Sequence, residues 1–195
     1  MPARFGAKWE RTMRLFTGLD LSGEVVCSLE ALLSHLRPAA DWKWSPPANL
    51  HITTRFIGEW PEARLPELRA ALAELPSRPP IAVHIHRLGY FPTPHAPRVF
   101  WAGVEAPADL PALAAEIDGA LDRLGLPPEG RPFRPHLTLA RAKERVPATA
   151  LRDAVAALPS LDFGAFDAHS FFLYQSRPGA GGSVYTKLAE FPLTK

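Results

Sequence analysis

The chain has 195 residues, of which 47% are hydrophobic and 22% are charged, and its net charge is +2 with a pI near 8.9. These values are typical of a soluble globular protein with one domain or two small similar lobes, and the charge does not predict a broad nucleic-acid or membrane surface. No apolar run approaches the roughly 20 residues that a membrane helix needs, so we expect no membrane contact.

The N-terminal segment and the single cysteine favour a reduced, cytoplasmic setting. Residues 1–12 lack the apolar run of a secretory signal, and Met13 opens a stretch typical of a domain start. We therefore predict an N-terminal extension over 1–12 and one domain, made of two interleaved lobes, over 13–195. Cys27 lies in an apolar helical stretch, and no second cysteine exists with which it could form an internal disulfide.

The first half of the chain alternates between strand and helix patterns. A strand is predicted over residues 15–19, and a helix over 22–37, where Ser22 can cap the N-terminus and apolar residues recur at helical spacing. A proline-containing break precedes a strand over 49–58, and a second helix is predicted over 61–75. Strands over 81–88 and 98–105 then flank a proline-rich turn.

The second half continues the same mixture. Helices are predicted over 108–124 and 147–158, with a strand over 134–141 between them, and apolar strand segments follow at 161–166, 170–175 and 184–188. Hairpin-like pairs outnumber crossover units, so we predict an α+β fold with mostly antiparallel sheets. The chain has no glycine-rich phosphate loop of the P-loop or dinucleotide-binding type.

A four-residue pattern, His-x-Thr-x, occurs twice and is the strongest functional signal in the sequence. The copies are His51-Ile52-Thr53-Thr54 and His136-Leu137-Thr138-Leu139, 85 positions apart and each after a proline-containing break. In a strand, the histidine and the threonine of each copy would share one face. One copy alone is weak evidence, but two copies in matching contexts indicate an internal duplication.

Two imidazoles that share a pocket can act as general acid and general base. Each has an ordinary pKa near about 6.5, so one neutral and one protonated ring can coexist near neutral pH. The threonine two residues after each histidine can donate its hydroxyl to an anion such as phosphate. This set suits hydrolysis of a phosphodiester, in particular a strained cyclic phosphate, and we predict neither a metal nor a cofactor.

The sequence closely resembles the two-histidine (2H) phosphoesterase superfamily, and within it the bacterial and archaeal RNA 2′,3′-cyclic phosphodiesterases, also called 2′-5′ RNA ligases. The resemblance covers most of the chain from Met13 onward. Five stretches match in order: "MRLFTGLDL", "WSPPANLHITTRFIGE", "GYFPTPHAPRVFWAGV", "RPFRPHLTLAR" and "FFLYQSRPGAGGSVYTKLAEFPL". The resemblance implies a bilobal pseudo-twofold duplicate, with a mostly antiparallel sheet and outer helices in each lobe and the active-site cleft between the lobes.

The resemblance also implies an activity and a partner. The activity is the opening of RNA 2′,3′-cyclic phosphate ends to 2′-phosphomonoesters, together with the reverse joining of RNA ends into 2′-5′ linkages. His51 would donate a proton to the leaving oxygen, and His136 would activate water, although physical reasoning alone leaves these two roles exchangeable. The partner would be RNA with cyclic phosphate ends, and we expect a monomer.

Five further positions are substrate contacts by the same resemblance. Thr53 and Thr138 would bind the phosphate, while Phe56 and Arg141, each five residues after its histidine, would contact base and phosphate. A regular strand sends that position to the opposite face, so both residues need a twist or bulge to reach the cleft. Without it, Phe56 is a core residue. Arg134 is either a further phosphate contact or a solvated arginine.

Other polar and aromatic residues receive no catalytic role. His84 and His86 share one face of a predicted strand, as metal ligands can, but no cysteine or carboxylate nearby in the sequence completes a set, so no metal site is predicted. Trp42 and Trp44 could stack on bases in the cleft or pin a loop to the core. Tyr185 is a weaker candidate near the cleft.

Two other hypotheses stay open. One is an RNA-binding module that holds phosphate ends without turnover, although such a module would do well with arginine or lysine in place of both histidines. The other keeps the chemistry but changes the substrate to a nucleotide cyclic phosphate or a 2′-5′-linked oligonucleotide.

Overall fold

The computed structural model describes residues 11–143, 148–179 and 182–194. Within these ranges the chain forms nine strands and four α-helices, in the order β1 (Thr12–Leu19), α1 (Gly23–Leu36), β2 (Lys43–Trp44), β3 (Ile52–Pro61), α2 (Leu65–Ala73), β4 (Ile81–Phe91), β5 (Val99–Glu105), α3 (Asp109–Arg123), β6 (His136–Arg141), α4 (Thr149–Ala156), β7 (Asp162–Ala168), β8 (Ser170–Gly179) and β9 (Gly182–Pro192).

The strands form two sheets, and every pairing between neighbours is antiparallel. A four-stranded sheet has the order β3-β1-β8-β9, and a five-stranded sheet has the order β2-β6-β5-β4-β7. The four-stranded sheet therefore combines strands from the beginning and the end of the chain. The predicted α+β fold with mostly antiparallel sheets is confirmed.

The helices form where the sequence places an apolar stripe and a start signal. The hydroxyl of Ser22 accepts a hydrogen bond from the backbone N–H of Val25 at 3.3 Å, which caps α1 as predicted. The second helix is shorter than predicted, because β3 continues through Pro61 and one 3₁₀ turn, Glu62–Arg64, precedes α2. The start predicted for the fourth helix, residue 147, lies outside the described residues.

The main core lies where the helices cover one face of each sheet. Its largest fully buried side chains are Leu15, Leu19, Leu29, Leu33, Leu36, Ile52, Leu68, Leu72, Ile81, Ile85, Phe100 and Leu110. A separate aromatic cluster consists of Phe16, Phe172 and Tyr174, with Tyr185 packed against it. Because strand side chains alternate between faces, the residues between the buried ones are free to line the opposite side of each sheet.

Bulges occur at matching positions in the two copies of the repeated motif. Between β1 and β3 the pairing skips Thr54, and between β5 and β6 it skips Leu139, so the fourth residue of each copy is the extra one. An extra residue reverses the alternation of side chains beyond it. Phe56 and Arg141 consequently face the same side as the motif threonines. This is the orientation that both residues need in order to reach a cleft.

The segment before β1 can be described only in part. The predicted extension, 1–12, lies outside the described residues except for Arg11 and Thr12, and Thr12 is already paired with Pro61. Residues 180–181, between β8 and β9, are not described. Among the described helices, none combines the length and the apolar character needed to cross a membrane.

Candidate active site

A cleft of about 480 Å³ is lined by residues from both sheets. The structure brings together six of the seven residues singled out in the sequence: His51, Thr53, Phe56, His136, Thr138 and Arg141. The seventh, Arg134, has an exposed side chain and does not line this cleft, although its backbone does contribute to the site. The repeated motif therefore delivers one histidine and one threonine from each sheet to a shared space.

Backbone carbonyls fix the orientation of both imidazoles in the same way. Nδ1 of His51 lies 2.8 Å from the carbonyl oxygen of Asn49, and Nδ1 of His136 lies 2.8 Å from that of Arg134. A carbonyl oxygen can only accept, so the network assigns the hydrogen of each neutral ring to Nδ1. In both rings Nε2 is then the nitrogen left to exchange a proton with a ligand.

Burial lowers the pKa of both histidines below the usual value. For His51 the largest cause is desolvation, opposed by the Asn49 carbonyl and by the negative charge of Asp20 and reinforced by Arg141 and His136. For His136 desolvation again dominates, opposed by the Arg134 carbonyl and reinforced by Arg141. Lowered pKa values on two groups in one cleft are typical of sites that move protons.

The surroundings of His51 include an aromatic wall and a carboxylate. Its ring lies 4.7 Å from that of Phe16 and 5.1 Å, edge to face, from that of Tyr185. Asp20 accepts hydrogen bonds from the hydroxyl of Tyr174 and from the ammonium of Lys187. Burial and this bond raise the pKa of Tyr174, so the phenol stays protonated and holds the carboxylate beside His51.

His136 has a different neighbour. Its ring packs edge to face against Phe91, with 5.1 Å between the ring centroids. The hydroxyl of Thr53 lies 2.9 Å from Nε2 of His51, whereas Thr138 lines the cleft beside His136 and Arg141. The two histidines are thus alike in their own hydrogen bonds but differ in the charges and rings around them.

The two tryptophans considered in the sequence lie in different places. Trp44 lines the cleft and donates its indole N–H to the carbonyl of Ala40 at 3.0 Å, so it is both a wall of the cleft and an anchor. Trp42 is buried in the core. Two exposed cations between the sheets, Arg14 and Lys43, also line the cleft and were not singled out from the sequence.

Arg55 is a further residue that sequence reasoning missed. It lies between Thr54 and Phe56, is 9% exposed, and donates to Asp118, to Glu129 and to the carbonyls of Phe56 and Pro127. The segment that contains Pro127 and Glu129 leads to His136. A charged residue in the middle of a strand that otherwise alternates was the available signal, because a buried arginine needs several acceptors.

The chain is similar to several known proteins over most of its length. A family model described as the 2′-5′ RNA ligase superfamily matches residues 25–179. An RNA 2′,3′-cyclic phosphodiesterase of Archaeoglobus fulgidus is 33% identical over 179 residues, which are 92% of this chain and 99% of that protein. One of Thermus thermophilus is 35% identical over 190 residues, with 93% of this chain and 90% of that protein covered.

Solved structures show the same fold. TT0787 of Thermus thermophilus has a TM-score of 0.79 at 34% identity, with 93% of this chain and 98% of that chain covered. Escherichia coli LigT complexed with 3′-AMP has a TM-score of 0.78 at 26% identity, with 95% of this chain and 100% of that chain covered. The bilobal fold expected from the sequence is thereby confirmed.

Proposed function

The chain belongs to the 2′-5′ RNA ligase superfamily, and from this membership we propose that it is an RNA 2′,3′-cyclic phosphodiesterase that works by His/His general acid–base catalysis without a metal ion. The observation that carries the proposal is the meeting of His51 and His136, from opposite sheets, in one cleft with both Nδ1 atoms held by carbonyls. In this proposal residues 13–195 act as one domain, because each lobe supplies half of the site.

The proposed reaction needs one proton transfer on each side of the phosphorus. Nε2 of His136 takes a proton from water as the water oxygen bonds to phosphorus. The bond from phosphorus to the 3′ oxygen breaks, and Nε2 of His51 gives its proton to that oxygen. The product is an RNA with a 2′-phosphomonoester and a 3′ hydroxyl, and both rings return to their starting states by exchange with water.

The different surroundings of the two rings support this assignment of roles. The carboxylate of Asp20 raises the pKa of His51, which favours the protonated form that a general acid must have. Arg141 lowers the pKa of both histidines, but no carboxylate raises that of His136, so nothing negative opposes the neutral form that a general base must have. The resemblance to the family gives the same assignment independently.

Thr53, Thr138 and Arg141 are the proposed phosphate ligands. The two hydroxyls can donate to the non-bridging oxygens, and the guanidinium can neutralise the charge that grows there in the transition state. The backbone carbonyl of Arg134, rather than its side chain, is the contribution we assign to that residue, since the carbonyl orients His136.

A defined RNA that ends in a 2′,3′-cyclic phosphate provides the test. In EDTA, the wild-type protein should open the ring to the 2′-phosphate, and His51→Ala and His136→Ala should each slow turnover by about 10²–10⁴-fold. His169→Ala removes an exposed histidine and is the matched control. Absence of ring opening, or opening that neither cleft variant slows, refutes the proposal.

The alternatives give different results in the same experiment. A non-catalytic module would bind the cyclic end with negligible turnover in the wild type. An enzyme for nucleotides or for 2′-5′-linked oligonucleotides would turn over those substrates faster than cyclic-ended RNA. Incubating the cyclic-ended RNA with a second RNA that carries a 5′ hydroxyl would reveal the joining reaction, in which the 5′ oxygen attacks phosphorus in place of water, the bond to the 3′ oxygen breaks and a 2′-5′ linkage forms.

A further inference from the structure

Four side chains with metal-binding groups meet on the five-stranded sheet, away from the cleft. His84 and His86 lie on β4, Glu105 on the neighbouring strand β5, and Asp162 at the start of β7 on the other side. Both histidines are half-buried, and both carboxylates are exposed. Val83 and Ile85 point into the core, so the histidines face the side open to solvent.

The polar atoms of this group are close together. Nε2 of His86 lies 2.8 Å from a carboxylate oxygen of Glu105, and Nε2 of His84 lies 3.0 Å from a carboxylate oxygen of Asp162. The two imidazoles are stacked with 4.7 Å between their centroids. One donor atom from each of His84, His86 and Glu105 lies within 4.8 Å of the others.

The backbone is irregular at this place. The pairing of β4 slips next to His86 towards both neighbouring strands, and Arg87 has φ of 62°, in the left-handed region. That conformation is uncommon for a residue with a side chain, and bulges often re-aim side chains near functional sites. The irregularity sets His86 opposite Asp162 on β7 while His84 stays opposite Glu105 on β5.

We propose that His84, His86 and Glu105 bind one divalent transition-metal ion of the Zn²⁺ class, with Asp162 as the fourth ligand or as the carboxylate that orients His84. Two imidazoles and one carboxylate are a known ligand set for Zn²⁺, and metal-bound histidines commonly have a carboxylate partner. In a tetrahedral site with bonds of about 2.0–2.1 Å, ligand atoms lie about 3.3 Å apart. Small side-chain rotations therefore suffice to close the set.

Arg87 is the group that must move when the ion binds. Its exposed guanidinium lies 3.1 Å from Nε2 of His86, which also faces Glu105. That nitrogen cannot accept from Arg87 and donate to Glu105 at once, so one of the two contacts is always unmade. A cation bound between His86 and Glu105 would take an electron pair from each of these two side chains. The flexible Arg87 side chain would then turn to solvent.

The ion would act on the sheet rather than on the reaction. None of its four proposed ligands lines the cleft. In the five-stranded sheet His86 pairs with Gly103 on β5, and Gly103 pairs with His136 on β6. Two strand spacings of about 4.8 Å each therefore separate the metal site from the histidine of the cleft. Binding would join β4, β5 and β7 and so stabilise the sheet that carries His136.

Titration calorimetry of the untagged protein with ZnCl₂ tests the proposal, with Co²⁺ absorption as a readout of ligand geometry. The background should carry Cys27→Ser, His51→Ala and His136→Ala, so that neither the exposed thiol nor the cleft can supply the signal. We expect one saturable site, a rise in the unfolding temperature with Zn²⁺, and binding at least tenfold weaker after His84→Gln, His86→Gln or Glu105→Gln.

Two controls sharpen the result. His169→Ala, on the exposed surface next to β8, should leave binding unchanged, and Arg87→Gln should leave it unchanged or tighten it. Asp162→Asn should weaken binding or change the Co²⁺ spectrum. The absence of saturable binding, or equal binding by the His84→Gln/His86→Gln double variant and its parent, overturns the proposal whatever the RNA activity of the protein.

Discussion

Arg55 and Asp118 form an ion pair directly behind the cleft face of β3, with 2.6 Å between Nε and a carboxylate oxygen. The same guanidinium holds Glu129 at 2.9 Å and the carbonyl of Pro127 at 2.7 Å. Strand β3, which follows His51, is thereby tied to the segment that leads to His136. One buried cation thus links the backbones that carry the two halves of the site.

Replacing Arg55 by alanine should destabilise the fold and disturb the cleft together. Breaking a buried pair leaves Asp118 without its cation, and the partial exposure of Asp118 places the loss of unfolding free energy near the lower end, at about 3 kcal/mol. Urea denaturation measures this loss, and steady-state kinetics on cyclic-ended RNA should show a lower kcat. The control Lys143→Ala breaks an exposed pair with Asp41 and should change stability by less than about 0.5 kcal/mol. Equal stability of the Arg55 variant and the wild type would contradict this role.

The pH dependence of the proposed reaction follows from the lowered pKa values. The base must be neutral, so activity rises with pH through the pKa of His136, and the acid must be protonated, so activity falls as pH rises through the pKa of His51. Both pKa values lie below the usual value of about 6.5, and we expect the maximum of kcat/KM below that pH. The bound phosphate should raise the pKa of His51, so the falling limb of kcat lies at higher pH than that of kcat/KM.

Asp20→Asn provides the check on that assignment. Removing the negative charge that raises the pKa of His51 should move the maximum of kcat/KM to lower pH, because the maximum lies midway between the two pKa values. A wild-type kcat/KM maximum above about pH 7, or a maximum that Asp20→Asn leaves in place or moves to higher pH, would show that the environments are misassigned.

A buried pair of hydroxyls supports the bulge in β3. The side-chain oxygens of Thr17 and Thr54 lie 2.7 Å apart, and both residues are buried. Thr17→Val should leave the Thr54 hydroxyl unpaired and cost about 1–3 kcal/mol of unfolding free energy, whereas Thr17→Val/Thr54→Val should lose less than the sum of the single changes. A double-mutant cycle by urea denaturation measures the difference, and strict additivity would argue against a supporting bond.

The sequence predicts the residues that line the site better than the residues that hold them in place. The reason is that the first depend on local strand geometry and the second on contacts between distant parts of the chain. The alternation that places His51 and Thr53 on one face is a local property of a strand, and the second copy repeats it. The partners of Arg55, by contrast, come from α3 and the segment that follows it, and Glu105 reaches His86 through strand pairing. Pairing and register are set by contacts between distant parts of the chain, so the sequence indicated no carboxylate beside His86.

Phe56 should contribute to substrate binding rather than to stability. Its side chain is 54% exposed in the cleft, contrary to the alternative that it belongs to the core. Stacking on a nucleic-acid base contributes about 1–3 kcal/mol, so Phe56→Ala should raise KM for RNA by roughly tenfold or more, and Phe56→Tyr should retain most of the binding. The unfolding free energy should change by less than about 0.5 kcal/mol. A clear loss of stability with an unchanged KM would restore the core interpretation.

Arg14 and Lys43 are expected to strengthen the binding of cyclic-ended oligonucleotides but not of single nucleotides. Both are exposed and line the cleft as well as the adjoining groove of about 850 Å³ that leads to Ser176 and Arg177. Phosphates next to the reacting one in an RNA chain can therefore lie along these cations, while a nucleoside 2′,3′-cyclic phosphate has none to place there. Arg14→Gln and Lys43→Gln should raise KM for a cyclic-ended oligonucleotide and reduce the slope of log KM against log salt by about 0.7 each, because each single-strand phosphate contact releases one counterion.

The same two variants should turn over a nucleoside cyclic phosphate like the wild type, and the exposed change Lys143→Gln should affect neither substrate. If KM rises equally for both substrates, the two cations act on the reacting phosphate itself and the groove does not bind the RNA chain. If KM changes for neither substrate, the natural substrate does not extend beyond the cleft. That result would favour a nucleotide cyclic phosphate over an RNA end as the substrate.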